Sequence, residues 1–354
     1  MKKYSNQYEI SLINLFGEWE DYKSRLTGVN FINFFLSKYL PIKKKINGFI
    51  KSRIFYFFLG LSSITELYSI LKKKKPEFLI IHLLTYIPLI LLIFFKFETK
   101  FILRISGFPK LNFFRKYLWR LASKKIYKVL CPTEETIEIL KNAQIFDETK
   151  IHFLEDPIIE ISKINKKKKE EIETEFSKKK YILAIGRLSK QKNFSLLIDF
   201  FKYISKYDRS LYLFIAGEGE LRSYLESLIR KESLQEKIKL LGFKDNIFKF
   251  LKHCHCFVST SLWEDPGFVL VEAAVTNTII ISSNCSSGPK EILSHGKGGF
   301  LFESNDLNSL KGAYQEFVAS EKNKNLLKKI IAKRKSKNYT FFNHYKKMNF
   351  FLSN

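Results

Sequence analysis

YILAIGRLSKQKN, residues 181–193, opens a pattern that repeats to the end of the chain. Tyr181 to Ile185 is an apolar run of strand length, and Gly186-Arg187-Leu188 reads as a turn. A helix is expected over Asn193 to Ile204. Leu211 to Ala216 (LYLFIA) is the next strand, followed by Gly217-Glu218-Gly219 and a helix from Glu220. Four more strands are expected at Ile238–Leu241, Cys256–Ser259, Ile279–Ser282 and Gly299–Phe302, with a helix over Phe268–Ala274. Near-continuous apolar strands separated by helices predict an α/β unit, a doubly wound sheet buried on both faces.

The first half alternates in the same way. Tyr8–Leu15, Phe78–Leu83, Phe101–Ile105, Lys128–Cys131 and Ile151–Leu154 read as strands, and Thr133 is placed to cap a helix running to about Asn142. Lys163 to Lys180 is dense in charge and poor in large apolar residues, as a linker with a solvated helix would be. The expected organisation is a first Rossmann-like domain at 1–160, a charged linker at 161–180, a second Rossmann-like domain at 181–335 and a C-terminal helix at 336–354 that packs back on the first domain.

Phe78 to Phe95 (FLIIHLLTYIPLILLIFF) is apolar enough to raise a membrane-spanning helix. His82, Thr85 and Pro88 interrupt it, and a strand-like stretch follows at once. A buried strand followed by a buried helix is therefore favoured. The first residues, Met1–Lys23, have no apolar run followed by a small-residue cleavage site, so no secretory leader is expected. Four cysteines in 354 residues make no disulfide framework and suit a reducing compartment. The net charge of +26 favours anionic partners such as phosphates or an acidic membrane face. Nucleic acid ranks last, because the cations are scattered and form no recognisable binding module.

Glu264-Asp265-Pro266-Gly267-Phe268-Val269-Leu270-Val271-Glu272 carries the strongest chemical signal, two carboxylates eight positions apart around a turn and a helix start. Backbone amides at a helix start hold phosphate, and Gly267 lets the backbone approach a ligand. Two readings fit the spacing equally. In one, Glu264 and Glu272 bind sugar hydroxyls. In the other, Asp265 caps a helix with Pro266 at its first position, and Glu272 is a surface ion-pair partner. Arg187 and Lys192 follow the first strand of the second unit, where open α/β sheets bind ligands. Gly217 follows the second strand. His253-Cys254-His255-Cys256 alternates along a strand entry, so its side chains diverge, and no metal site is expected.

Taken in order, GRLSKQKN, IAGEGELR, LLGFKDN, STSLWEDPGFVLVEAA, SSNCSSGPKEIL and GGFLF resemble the family-four glycosyltransferases of the GT-B fold, two Rossmann-like domains facing a cleft. LRISGFPKLNF and KVLCPTEET resemble the acceptor domain of bacterial members. The resemblance implies retaining transfer of a hexose-type unit from a nucleotide-diphosphate sugar, with no metal or other cofactor. It implies that Arg187 and Lys192 hold the diphosphate and that Glu264 contacts the donor sugar. By the same token Glu272 would hold the ribose, and Gly267, Phe268, Val269 and Gly217 would line the donor site. Arg104 is the residue singled out on the acceptor side. Two departures stand out. The family's Glu-Gly-Phe-Gly turn reads Glu264-Asp265-Pro266-Gly267 here, and the usual first strand with its glycine-rich loop is not recognisable before Tyr8. The implied setting is cell-surface polysaccharide or lipopolysaccharide synthesis with a glycan or lipid-linked acceptor, at the cytoplasmic face of the plasma membrane. The alternatives are a non-catalytic or degraded glycosyltransferase-like subunit and a sugar-nucleotide epimerase on the same fold.

Overall fold

The structure is a computed structural model that describes residues 8–15, 19–26, 28–34, 49–83, 85–107, 109–286 and 288–354. The leader reading over Met1–Lys23 lies partly outside these residues. In chain order the elements are β1 (Ser11–Asn14), β2 (Asn30–Asn33), α1 (Phe49–Lys73), β3 (Phe78–His82), α2 (Tyr86–Phe94), β4 (Lys100–Arg104), α3 (Phe113–Ala122), β5 (Lys128–Cys131), α4 (Glu134–Asn142), β6 (Ile151–Phe153), α5 (Ile161–Lys167) and α6 (Thr174–Ser177). They continue with β7 (Lys180–Ile185), α7 (Phe194–Ile204), β8 (Leu211–Ala216), α8 (Arg222–Lys231), β9 (Ile238–Gly242), α9 (Phe248–His253), β10 (Cys256–Ser259) and α10 (Phe268–Val275). The last are β11 (Ile280–Ser283), α11 (Pro289–Ile292), β12 (Phe300–Phe302), α12 (Leu307–Ala319), α13 (Lys322–Ser336) and α14 (Phe341–Ser353).

The chain forms two compact units. One comprises residues 1–104, 110–129 and 144–151, and the other residues 105–109, 130–143 and 152–354. Strands β1 and β2 pair parallel, and β3-β4-β5-β6 form a four-stranded sheet. The apolar run from Phe78 divides into β3 and α2, and no described helix is long and apolar enough to cross a membrane. Thr133 caps α4 as its spacing predicts, its side chain accepting from the Thr136 amide. Helix α1 was not anticipated from the sequence. The charged stretch after Lys163 contributes most of α5 and all of α6, which bury Ile164 and Phe176.

The second unit carries a six-stranded parallel sheet in the order β12-β11-β10-β7-β8-β9. Successive strand residues point to opposite faces, and the apolar runs feed two cores. Ile182, Ala184, Leu213, Ile215 and Val258 pack on one face with residues of α7, α8 and α12. Tyr181, Leu183, Phe214, Ala216 and Phe257 pack on the other with residues of α9, α10 and α13. Phe214 is fully buried, 5.0 Å from the Phe176 ring and 4.7 Å from Tyr181. The Tyr181 hydroxyl donates to the Phe250 carbonyl at 2.7 Å, which ties β7 to α9. Truncating a core phenylalanine loses its transfer free energy and leaves a cavity. Phe214→Ala should therefore cost about 4 kcal/mol of stability in denaturant titrations, with the fold retained.

Candidate functional site

Strands β7 and β10 are neighbours, yet the chain leaves them in opposite directions across the sheet, to β8 on one side and β11 on the other. This is the switch point at which open α/β sheets form a crevice at their carboxyl ends. The loop after β7 carries Arg187 and Lys192, and the loop after β10 carries Glu264.

The two loops are stitched together. The Leu262 amide donates to the Gln191 carbonyl at 2.8 Å, and Gln191 Nε2 donates to the Trp263 carbonyl at 2.9 Å. Thr260 Oγ1 donates to the Lys192 and Asn193 carbonyls at 2.9 and 3.1 Å. Across this seam Lys192 Nζ meets Glu264 Oε1 at 2.6 Å, and Ser261 Oγ donates to the same oxygen at 2.6 Å. The lysine and glutamate side chains are only 13% and 5% exposed, so the pair is shielded from the solvent screening that weakens surface ion pairs.

Two glycines allow close approaches at the end of β7, one to the loop after β8 and one to the Lys192 side chain. A Cβ on Gly217 would lie 1.9 Å from the Gly186 carbonyl oxygen, and one on Gly186 would lie 2.8 Å from Lys192 Cε. Gly217 also has a φ of 144°, in the left-handed region that glycine tolerates. Its lack of a side chain therefore serves protein backbone packing as well as the cavity it borders.

Beside these glycines lies a cavity of about 670 Å³, within the range of small-molecule sites. Arg187, Gly217 and Glu272 border it, together with Lys167 from α5, Phe243 after β9 and Phe341 from α14. Burial raises the Glu272 carboxyl to about 7, with Lys167 pulling the other way. Lys167 is fixed by donating to the Asp245 carbonyl at 2.7 Å.

Helix α10 starts at Gly267, whose φ of 93° ends the loop, and no side chain caps the helix. This replaces the reading in which Asp265 caps and Pro266 occupies the first turn. Leaving the helix start uncapped offers the Phe268 and Val269 amides to an anion.

The structure thus joins Lys192 to Glu264 directly and places Arg187 and Glu272 on one cavity, with Gly186 bordering the cavity beneath the Lys192 side chain. Arg104 lies in the other unit, buried at the end of β4 and opposite His82 in the register. His253 to Cys256 run from the last residue of α9 into β10, with the His255 and Phe317 ring centroids 4.9 Å apart. Sequence reasoning missed Lys167, Phe243 and Phe341 as cavity residues. Phe243 sat inside the quoted LLGFKDN stretch, whereas Lys167 and Phe341 reach the cavity only through tertiary packing.

Residues 165–337 match the family model described as glycosyl transferases group 1. An uncharacterized glycosyltransferase of Methanocaldococcus jannaschii is 34% identical over 264 residues, 69% of this chain and 64% of that one. A Campylobacter jejuni N-acetylgalactosamine-N,N'-diacetylbacillosaminyl-diphospho-undecaprenol 4-alpha-N-acetylgalactosaminyltransferase is 28% identical over 255 residues, 70% of this chain and 67% of the relative. The chain therefore spans about two thirds of the length of these relatives. Among solved structures, HepE of Anabaena in complex with UDP superposes with a TM-score of 0.73 at 15% identity, covering 99% of this chain and 93% of its own. A Rickettsia africae glycosyltransferase does so with a TM-score of 0.73 at 16% identity, covering 97% and 89%. The fold is GT-B, and the chain belongs to the family-four glycosyltransferases.

A carboxyl group raised from 4.5 to about 7 in the folded state binds a proton there that the unfolded chain releases. Its stabilising contribution is complete below pH 4.5 and is lost as the pH rises through 7. Between pH 4.5 and 8, wild type should lose up to about 3 kcal/mol relative to Glu272→Gln, measured by denaturant unfolding of both proteins.

Proposed function

We propose that the chain is a retaining glycosyltransferase that moves a hexose-type sugar from a nucleotide-diphosphate sugar to a glycan or lipid-linked acceptor of the cell surface. The observation that carries this reading is the pairing of a cavity bordered by Arg187 and Glu272 with the shielded Lys192–Glu264 contact beside it. UDP is the proposed nucleotide, on the likeness to HepE, whose structure is a complex with UDP.

In this reading the nucleoside occupies the cavity and Glu272 accepts from the ribose hydroxyls. Arg187, Lys192 and the uncapped start of α10 hold the diphosphate. As the glycosidic bond breaks, charge builds on the departing diphosphate, and these fixed positive groups stabilise it without reorganising. Glu264, held by Lys192 and Ser261, orients the donor sugar at the reacting carbon. The acceptor attacks from the face the diphosphate leaves, so the anomeric configuration is kept with no protein nucleophile and no metal. The reading extends to lipopolysaccharide or related polysaccharide synthesis at the inner face of the plasma membrane, in peripheral contact with anionic lipid. Support comes from the undecaprenol-linked substrate named for the Campylobacter relative and from a Rhizobium meliloti relative named as a lipopolysaccharide core biosynthesis enzyme.

Removing a charged hydrogen-bond partner costs about 1.5–3 kcal/mol, so Arg187→Ala and Glu272→Ala should each weaken UDP binding by roughly 10- to 100-fold in calorimetry. Wild-type affinity in both variants would reject the proposed donor site. Release of free sugar from a UDP-sugar by wild type but not by Arg187→Ala would support transfer chemistry over a binding role.

A further inference from the structure

Helix α3 (FFRKYLWRLA) has two apolar faces. Leu118, Trp119 and Ala122 are buried, as one face of an amphipathic helix should be. On the other side, Phe113, Tyr117 and Leu121 follow one another at single-turn spacing, and Phe114 lies beside them. These four remain 86%, 57%, 47% and 68% exposed, respectively. The Phe113 and Tyr117 rings stack at 6.4 Å and 9°, so together they present a flat aromatic surface. Isolated exposed apolar residues are ordinary, but a contiguous apolar stripe marks an interaction surface.

The surrounding charge identifies the partner. From Thr99 to Thr133 the chain holds nine lysines and arginines and no acidic residue. Lys116 and Arg120 follow at single-turn spacing along the edge of the exposed stripe, Lys110 precedes the helix and Lys124 follows it. All four are exposed, and none forms an ion pair with a carboxylate among the described residues. A helix with an aromatic stripe edged by unpaired cations matches the interface of an anionic bilayer, where rings enter the headgroup boundary and cations meet lipid phosphates. A protein partner or a second copy would need to cover the stripe with a face of its own and to supply carboxylates for these cations.

We propose that α3 is a membrane-docking helix, inserting Phe113, Phe114, Tyr117 and Leu121 into an anionic phospholipid surface while Lys110, Lys116, Arg120 and Lys124 contact its headgroups. This deepens the membrane reading given above by naming the surface, and it is independent of the nucleotide site.

The test is co-sedimentation of the full chain with phosphatidylcholine vesicles, with and without phosphatidylglycerol, at low and raised salt. Wild type should pellet with the phosphatidylglycerol vesicles, and raised salt should release it. Each cation removed should weaken binding about fivefold, so Lys116→Gln/Arg120→Gln should bind roughly 25-fold more weakly. Phe113→Ser/Phe114→Ser/Tyr117→Ser should lose vesicle binding while keeping UDP affinity, which reports that the other unit is intact. Should that triple variant misfold, the double charge variant, altered only at solvent-facing side chains, still decides. Failure of wild type to pellet overturns this proposal and the membrane reading together. Pelleting of all variants like wild type overturns α3 as the surface and leaves the membrane reading standing. Equal binding to neutral vesicles, or a wild-type dimer that the triple variant abolishes, also overturns it. UDP affinity reports separately on the transferase reading.

Discussion

The Lys192–Glu264 contact is the constraint around which the second unit's site is arranged. It joins residues 72 positions apart, on loops that leave adjacent strands, and it is nearly shut off from water. Such a pair needs precise geometry, because each ion has given up its hydration and only the partner and neighbouring hydroxyls replace it. Ser261 supplies one of those hydroxyls, and the Ser261 carbonyl is held in turn by Ser283 Oγ at 2.6 Å from the end of β11. Gly186 leaves room for the Lys192 side chain, and Gly217 lets the loop after β8 pass the Gly186 backbone, so the end of β7 borders both the ion pair and the cavity.

Much of the second unit was legible because a parallel sheet covered on both faces leaves a plain signature. Strands such as LYLFIA are apolar without a break, and their ends fell within a residue of expectation. The alternation gave the strands but not their order in the sheet, and it was the resemblance of the motifs to a known family that grouped Arg187, Lys192, Glu264 and Glu272 beforehand. What the pattern does not encode is contact between segments with no shared periodicity. Lys167 lies in a lysine-rich run that reads as solvated, yet its stem lies along the cavity and its ammonium is fixed by the Asp245 carbonyl. The helix at Phe268 was read from the sequence, but its cap was not: Asp265 and Pro266 are good helix-start residues, and the observed backbone decides for Gly267.

Charge is distributed unevenly in kind as well as in number. Glu264 and Glu272 are withdrawn from water. Glu264 is compensated by contact with Lys192, and burial holds the Glu272 proton to about pH 7, well above the usual carboxylate range. Many of the lysines remain at the surface, and Thr99–Thr133 itself contains no acidic residue.

The wall of the cavity is assembled from widely separated parts of the chain. Ile158 and Glu160 border it beside Phe341, far off in sequence, with Ile159 and Thr340 bridged in parallel. On a ribosome, β7 to β9 emerge long before Phe341 does, and folding proceeds as segments become available. A nascent chain stopped after α10 would already hold Arg187, Phe243 and Glu272 but would lack Phe341. The cavity is therefore complete only near the end of synthesis, as are both apolar cores, which draw on Phe317 and Tyr339.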